Sequence, residues 1–233
     1  PANNAGRVGT NARLTATFSE AMSEASLASA IGLVDEASGS AIALQSITFD
    51  RVNNIATITP QAPLTPDRVY RAEVSTSARD LGGNPLADAY GWRFSTGGGA
   101  DTTAPTVTSH APVSGATGVP TDTGVALSFS EPMDVASVGA AFALTRSGTV
   151  VAGRLAYVGQ AAIFTPDAAL EPSSNYVATL RRSATDLAGN ALATDLVWGF
   201  TTGSGADTSP PTVRSVSPAN EATQVPRGSE LAV

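Results

Sequence analysis

The chain has no cysteine and no lysine: all thirteen of its basic residues are arginine. Without Cys there are no disulfides to staple it, which suits a protein inside or outside the cell and does not choose between them. Without Lys it cannot form Lys–Asn or Lys–Asp isopeptide braces either. Histidine occurs once, as His110, so a zinc site built from His and Cys cannot be filled. Ser109 adjoins that His, but no nucleophile elbow surrounds any Ser, and a Ser–His–Asp site is not indicated. Phosphate loops and dinucleotide fingerprints are missing as well. No apolar run reaches the ~20 residues of a membrane-spanning helix. A net charge of −7 argues against a nucleic-acid partner, which needs a basic surface, and favours repulsion between neighbouring chains. No leader peptide is visible. Pro1 reads as the middle of a repeat, so this leaves secretion open.

What the chain does have is internal repetition. Phe18-Ser19-Glu20-Ala21-Met22 returns as Phe129-Ser130-Glu131-Pro132-Met133, at a spacing of 129 − 18 = 111. Asp80-Leu81-Gly82-Gly83-Asn84 returns as Asp186-Leu187-Ala188-Gly189-Asn190, at a spacing of 186 − 80 = 106. Asp101-Thr102-Thr103-Ala104-Pro105-Thr106-Val107 returns as Asp207-Thr208-Ser209-Pro210-Pro211-Thr212-Val213, again 207 − 101 = 106 apart. A unit of this length is a whole small domain that can bury its own core. The expected organisation is domain one over 1–99, domain two over 100–205, and the start of a third repeat, or an exchanged strand, over 206–233. The seams, Gly97–Thr103 and Gly203–Ser209, run from Gly into Pro, which makes short linkers that stiffen at their ends.

Within each copy the hydrophobic period is two. Leu14, Ala16 and Phe18 alternate with polar or small residues, as do Val125, Leu127 and Phe129. Turn residues recur about every ten positions, giving six or seven short strands per copy and an all-β class of tandem antiparallel β-sandwiches. Met22–Ala30 and Val135–Ala141 are the expected helical turns. Phe18/Phe129, Trp92/Trp198 and Tyr70/Tyr176 are expected at matching buried positions. Leu64–Tyr70 and Leu170–Tyr176 carry the pattern of a tyrosine corner.

The order Ala-Pro-Thr-Val, Phe-Ser-Glu-Xaa-Met, Leu-Xaa-Pro-Xaa-Xaa-Xaa-Tyr, Asp-Leu-Xaa-Gly-Asn, Trp-Xaa-Phe-Xaa-Thr-Gly resembles the bacterial Ig-like domains of S-layer proteins and large surface adhesins. The resemblance covers nearly the whole chain. It implies Ig-like sandwiches in a non-catalytic, extracellular or cell-surface bacterial protein, acting as stalk, spacer or filament unit without a cofactor. Its partners would be neighbouring Ig-like repeats or identical chains, through strand pairing or end-to-end contacts. Two other roles stand beside this. One is an adhesin module that binds glycan or protein through its loops, where Tyr90 and Tyr157 are the aromatics open to stacking. The other is an accessory domain of a secreted hydrolase.

The Asp-Leu-Xaa-Gly-Asn loops read as Asx-type turns, with Gly and Asn supplying positive φ. Calcium is the alternative reading of these loops, with linker aspartates adding a ligand at an interdomain site. Candidate ligands are Asp80, Asp101, Asp186 and Asp207, with Glu20 and Glu131 as additions. Calcium wants six to eight oxygens, so folding is expected not to depend on metal. One departure concerns the ends. Copy one lacks the strand that Ala104–Thr108 provides in copy two, and the tail carries a spare version at Pro210–Arg214. Either the chain is a window on a longer repeat protein, or one subunit's tail completes the next subunit's first domain. Both arrangements place Val213 at a sheet edge, as Val107 is in copy two.

Overall fold

In the computed structural model, which describes residues 1–208 together with Pro210, Thr212 and Thr223, the two copies form two β-sandwiches. Domain one contains β1 (Ala5–Val8), β2 (Leu14–Thr17), α1 (Glu24–Ala30), β3 (Ile31–Asp35), β4 (Leu44–Asp50), β5 (Ile55–Pro60), β6 (Val69–Val74) and β7 (Tyr90–Thr96). Its sheets are ordered β1-β7-β6-β3 and β2-β5-β4. Domain two contains β8 (Val107–Ala111), β9 (Val125–Phe129), α2 (Val135–Ala141), β10 (Phe142–Arg146), β11 (Thr149–Val150), β12 (Gly153–Val158), β13 (Ala161–Pro166), β14 (Asn175–Leu180) and β15 (Leu196–Thr201). Its sheets are ordered β11-β10-β14-β15 and β12-β13-β9-β8. The pairings are antiparallel except for β1 with β7, which run parallel. The expected strand around Val213 lies outside the described residues.

Each sandwich closes over its own core, and the cores correspond residue by residue. Met22, Leu27, Leu33, Tyr70, Trp92 and Phe94 are buried in one; Met133, Val138, Leu144, Tyr176, Trp198 and Phe200 are buried in the other. Alternation explains this: inward residues of both sheets meet, and outward ones stay wet. Both tyrosine corners form. The Thr65 N–H donates to the Tyr70 hydroxyl, and the Glu171 N–H to the Tyr176 hydroxyl, each at 2.8 Å. In each domain a threonine hydroxyl at the end of the last strand donates to the corner carbonyl: Thr96 to Thr65 at 2.7 Å and Thr202, one residue past β15, to Glu171 at 2.6 Å.

The copies differ in three ways that matter. First, the repeat spacing falls from 144 − 33 = 111 at Leu33/Leu144 to 162 − 56 = 106 at Ala56/Ala162. Part of that difference lengthens the β4–β5 hairpin, whose loop is Arg51–Asn54 where domain two has only Gly159-Gln160. Second, β9 lies between β13 and β8, whereas β2 has β5 on one side and no strand on the other among the described residues. Third, and as a consequence, the expected match of Phe18 with Phe129 fails. Phe129 is buried under β8, where it opposes Val107, but Phe18 is only half-buried and packs edge-on against Phe49.

Phe129→Ala should therefore cost about 3–5 kcal/mol, in the range for a core aromatic truncated to Ala, and Phe18→Ala clearly less. Denaturant unfolding of the two variants measures this; equal losses would contradict the unequal burial.

Candidate functional site

Three of the residues singled out for chemistry, Asp101, Glu131 and Asp186, gather at the junction of the two domains. The linker residue Asp101 is held from both sides. Its N–H donates to Asn11 Oδ1 at 2.8 Å, and its carbonyl accepts from Asn11 Nδ2 at 3.0 Å. Domain two adds Asn190 Nδ2, at 3.2 Å from the same carbonyl. The Asn11 amide also donates to Ala188 O at 3.2 Å, and the Arg13 N–H to Leu187 O at 2.9 Å. Gly9 is required here: a Cβ on it would lie 2.7 Å from Asp101 Cβ and 2.8 Å from Asp101 N.

Two side-chain contacts flank this centre. The Arg13 guanidinium pairs with Asp134, whose other oxygen caps α2 by accepting from the N–H groups of Ala136 and Ser137. Asp134 thus serves the helix and the joint together. Its counterpart in domain one, Ser23, makes no side-chain cap bond. On the far flank the longer β4–β5 hairpin reaches across. Asn53 Oδ1 accepts from the Tyr157 N–H at 2.8 Å, on the outer side of β12, which is the edge strand of its sheet. An edge strand leaves such N–H groups unpaired, and Asn53 satisfies one of them.

The Asp-Leu-Xaa-Gly-Asn loops are Asx-type turns with a correction. Positive φ falls on Gly83 and Gly189 alone, at 88° and 96°. The Asn instead folds back: Asn84 and Asn190 each donate main-chain and side-chain N–H groups to Asp80 and Asp186, at 2.7–2.8 Å. The Asn84 amide, then its backbone N–H, hold the Asp80 carboxyl below the usual range. Tyr157, expected to be open for stacking, is corrected too. Its hydroxyl accepts from the Met133 N–H at 2.6 Å and its ring lies against Phe129, because β12 folds it inward over the Glu131–Met133 loop. Burial raises its pKa. Tyr90 is exposed. His110 stacks on Trp198 with ring centroids 4.6 Å apart, and its Nδ1 lies 3.0 Å from Pro112 O.

Of the four aspartates considered for calcium, two meet. Asp101, Asp186 and Glu131 place carboxylate oxygens within 4.8 Å of one another. Asp80 sits in the matching loop of domain one, and the Asp207 N–H donates to Asp122 Oδ1 at the next linker, at 3.1 Å. With one oxygen from each, the three carboxylates supply fewer than the six to eight that calcium takes. Asp186 already accepts from Ala188 N, Asn190 N and Asn190 Nδ2. The effect that can be read directly is electrostatic. Partial burial, followed by the charges of Asp186 and Asp101, raises the pKa of Glu131.

The sequence profile of the bacterial Ig-like domain matches residues 1–96 and 101–202. This chain belongs to that family. Its two bacterial Ig-like domains are also similar to solved structures. L,D-transpeptidase 1 of Mycobacterium tuberculosis is 19% identical over 43% of this chain and 40% of that one, with a TM-score of 0.31. The N-terminal part of the bacterial S-layer protein SbsC is 12% identical over 84% and 43%, with a TM-score of 0.35. Domains 1–6 of SbsC are 12% identical over 92% and 26%, with a TM-score of 0.37. The chain spans less than half the length of each of these. No curated protein matches it.

Reading the two Ig-like copies against each other was the available signal for the joint residues that motif reasoning missed. Asn11 stands where copy two has Asp122 (11 + 111), and Arg13 where it has Gly124 (13 + 111). Asn53 belongs to the residues that copy two lacks.

The raised pKa of Glu131 means that the folded state holds this proton more tightly than the unfolded chain. The associated stability is therefore full below the ordinary glutamate value of 4.5 and is lost as pH rises through the raised folded value. Glu131→Gln should raise the melting temperature at neutral pH, with the gain fading below that value, while a chelator leaves the parent chain nearly unchanged. A lower melting temperature for this variant at neutral pH, together with a calcium-reversible drop on chelation, would show instead that the cluster works as a cation site.

Proposed function

We propose that this chain is a non-catalytic spacer from a bacterial surface protein, in which successive Ig-like domains are held in a fixed relation so that an array can set a distance or build an assembly. The observation that carries this reading is the grip on Asp101. A linker that served only as a tether would not need its N–H and its carbonyl bonded to side chains of both flanking domains. Gly9, which leaves room for that linker, and Asn53, which reaches to the edge of β12, support the same reading. So does the repeat of the device at the following seam, where Asp122 receives the Asp207 N–H as Asn11 receives that of Asp101. The acidic surface suits long molecules that must not stick to each other.

The chain has no cysteine, so a pair introduced at the exposed positions Ser38 and Ser183 can carry spin labels without interference. The distance distribution between them should be single and narrow. Asp134→Ser, which retains an N-capping hydroxyl but removes the partner of Arg13, combined with Asn53→Ala, should broaden it while each domain keeps its own melting transition. A broad distribution in the otherwise unmodified chain would refute the spacer reading.

A further inference from the structure

The sheet that holds β6 and β7 in domain one, and β14 and β15 in domain two, has a different outer face in each copy. In domain one that face carries two ion pairs, Arg71 with Glu73 and Arg93 with Glu36, each at 2.6 Å. All four charges are absent from domain two. Glu36 is matched by Ser147 (36 + 111), Arg71 by Val177, Glu73 by Thr179 and Arg93 by Gly199 (each + 106). Register gathers the uncharged residues. Val150, Thr145, Val177 and Gly199 form one row across β11, β10, β14 and β15, and Ala143, Thr179 and Val197 form the next. They alternate with the buried Leu144, Tyr176, Ala178 and Trp198, so they face outward. Val150 is 67% exposed, Val197 60% and Val177 42%, which leaves apolar side chains open in every strand of the face but β10. Its polar groups are mostly satisfied from within. The Thr145 hydroxyl donates to Val177 O at 3.2 Å, and the Thr201 hydroxyl to Asn175 Oδ1 at 2.7 Å. Covering this face would remove apolar surface from water and strand few polar groups.

We propose that this face of domain two is a lateral contact surface, which pairs with the same face on a second copy of the chain about a two-fold axis. Charge argues for that occupant. Copies with a net charge of −7 repel each other, and they can close up only where neither has to bury an acid. The matching face of domain one fails this condition, because its four charges would be desolvated. The rims set the direction. Beyond Leu180 lie Arg181, Arg182 and Asp195, two arginines against one acid. Beyond Asn175 lie Arg146, Asp167 and Glu171, two acids against one arginine. With β14 of one copy antiparallel to β14 of the other, each positive rim meets a negative one; a parallel crossing would set like against like. Three to four strands ~4.8 Å apart and six residues long give roughly 300–400 Å² a side, well under the ~800 Å² of a standard interface. A single contact is therefore weak, and it becomes firm where several act together along neighbouring arrays. The surface does not rest on the spacer reading: a flexibly joined pair of domains would meet through it in the same way.

The test follows the 233-residue chain up to about 1 mM, where a contact of this size is populated. In sedimentation its average mass should rise with concentration above the 23.4 kDa of one unit. In its NMR spectrum the amides of Val177, Thr179 and Val197 should shift over the same range, while those of Arg71, Glu73 and Gly91 stay in place. Val177→Arg combined with Thr179→Glu gives domain two the pair that domain one already carries, and it leaves the net charge unchanged. This variant should remain at one unit while both domains keep their unfolding transitions. Ile163→Thr changes an exposed residue of the other sheet to its domain-one counterpart, Thr57, and should associate as the parent does. A parent chain that stays at 23.4 kDa throughout overturns the proposal. So does association that survives the double variant or is lost in Ile163→Thr, and so do concentration-dependent shifts centred on domain one.

Discussion

The carboxamide of Asn11 is the constraint on which the rest of the joint depends. It offers one acceptor and two donor hydrogens, and the structure uses both kinds on the backbone of a single residue: its oxygen takes the Asp101 N–H and its nitrogen serves the Asp101 carbonyl, and the Ala188 carbonyl as well. With Asp101 fixed on domain one, the Asn190 amide can reach the same carbonyl from domain two. Register at this one residue then decides whether Arg13 meets Asp134 and whether Asn53 meets Tyr157, both of which are far from the linker in sequence. Each bond taken alone is a modest gain in water, of about 0.5–1.5 kcal/mol. Their weight comes from acting on a short Gly- and Pro-bounded linker that has few conformations to lose.

The joint also contains an opposing effect. Asp101, Glu131 and Asp186 crowd negative charge into one place. Two of the three come from motifs that recur in both copies, and the third from the repeated linker. The cluster is thus a by-product of fitting the Phe-Ser-Glu loop and the Asp-Leu-Xaa-Gly-Asn loop against a linker that begins with Asp. Arg13 brings positive charge to the same face through Asp134, and domain two has Gly124 at the matching position. Charge balance at the joint is therefore a property of this pair of domains and not of every repeat.

Much of the fold was legible because it is written in period two and written twice. The helices at Glu24–Ala30 and Val135–Ala141, the two tyrosine corners and the paired tryptophans follow from local pattern and repetition. What was not legible depended on differences between the copies. Phe18 was read as the twin of Phe129, but burial of a residue near a sheet edge is set by the strand beside it, and that strand is not part of the residue's own motif. Tyr157 shares the parity of Leu155 and so falls on the inward face of β12, which the reading of it as an open aromatic overlooked; the Met133 N–H then donates to its hydroxyl. The asparagines of the Asp-Leu-Xaa-Gly-Asn loops were assigned a backbone role. They perform a side-chain one, because the preceding Gly already supplies the left-handed residue that the turn needs. Asn11, Arg13 and Asn53 belong to no motif at all. A joint is specified by residues that fit a neighbour, and such residues are visible in sequence only as departures from the repeat.

The central claim is that the linker is part of the folded structure rather than a tether, and amide hydrogen exchange at Asp101 tests it most directly. Its N–H is bonded to a half-buried side chain of domain one and sits between two domains. The account predicts exchange slowed far below that of an open peptide, falling to the open-peptide rate in Asn11→Ala while the amides of β5 and β13 stay protected. Exchange at the open-peptide rate in the unmodified chain would contradict it.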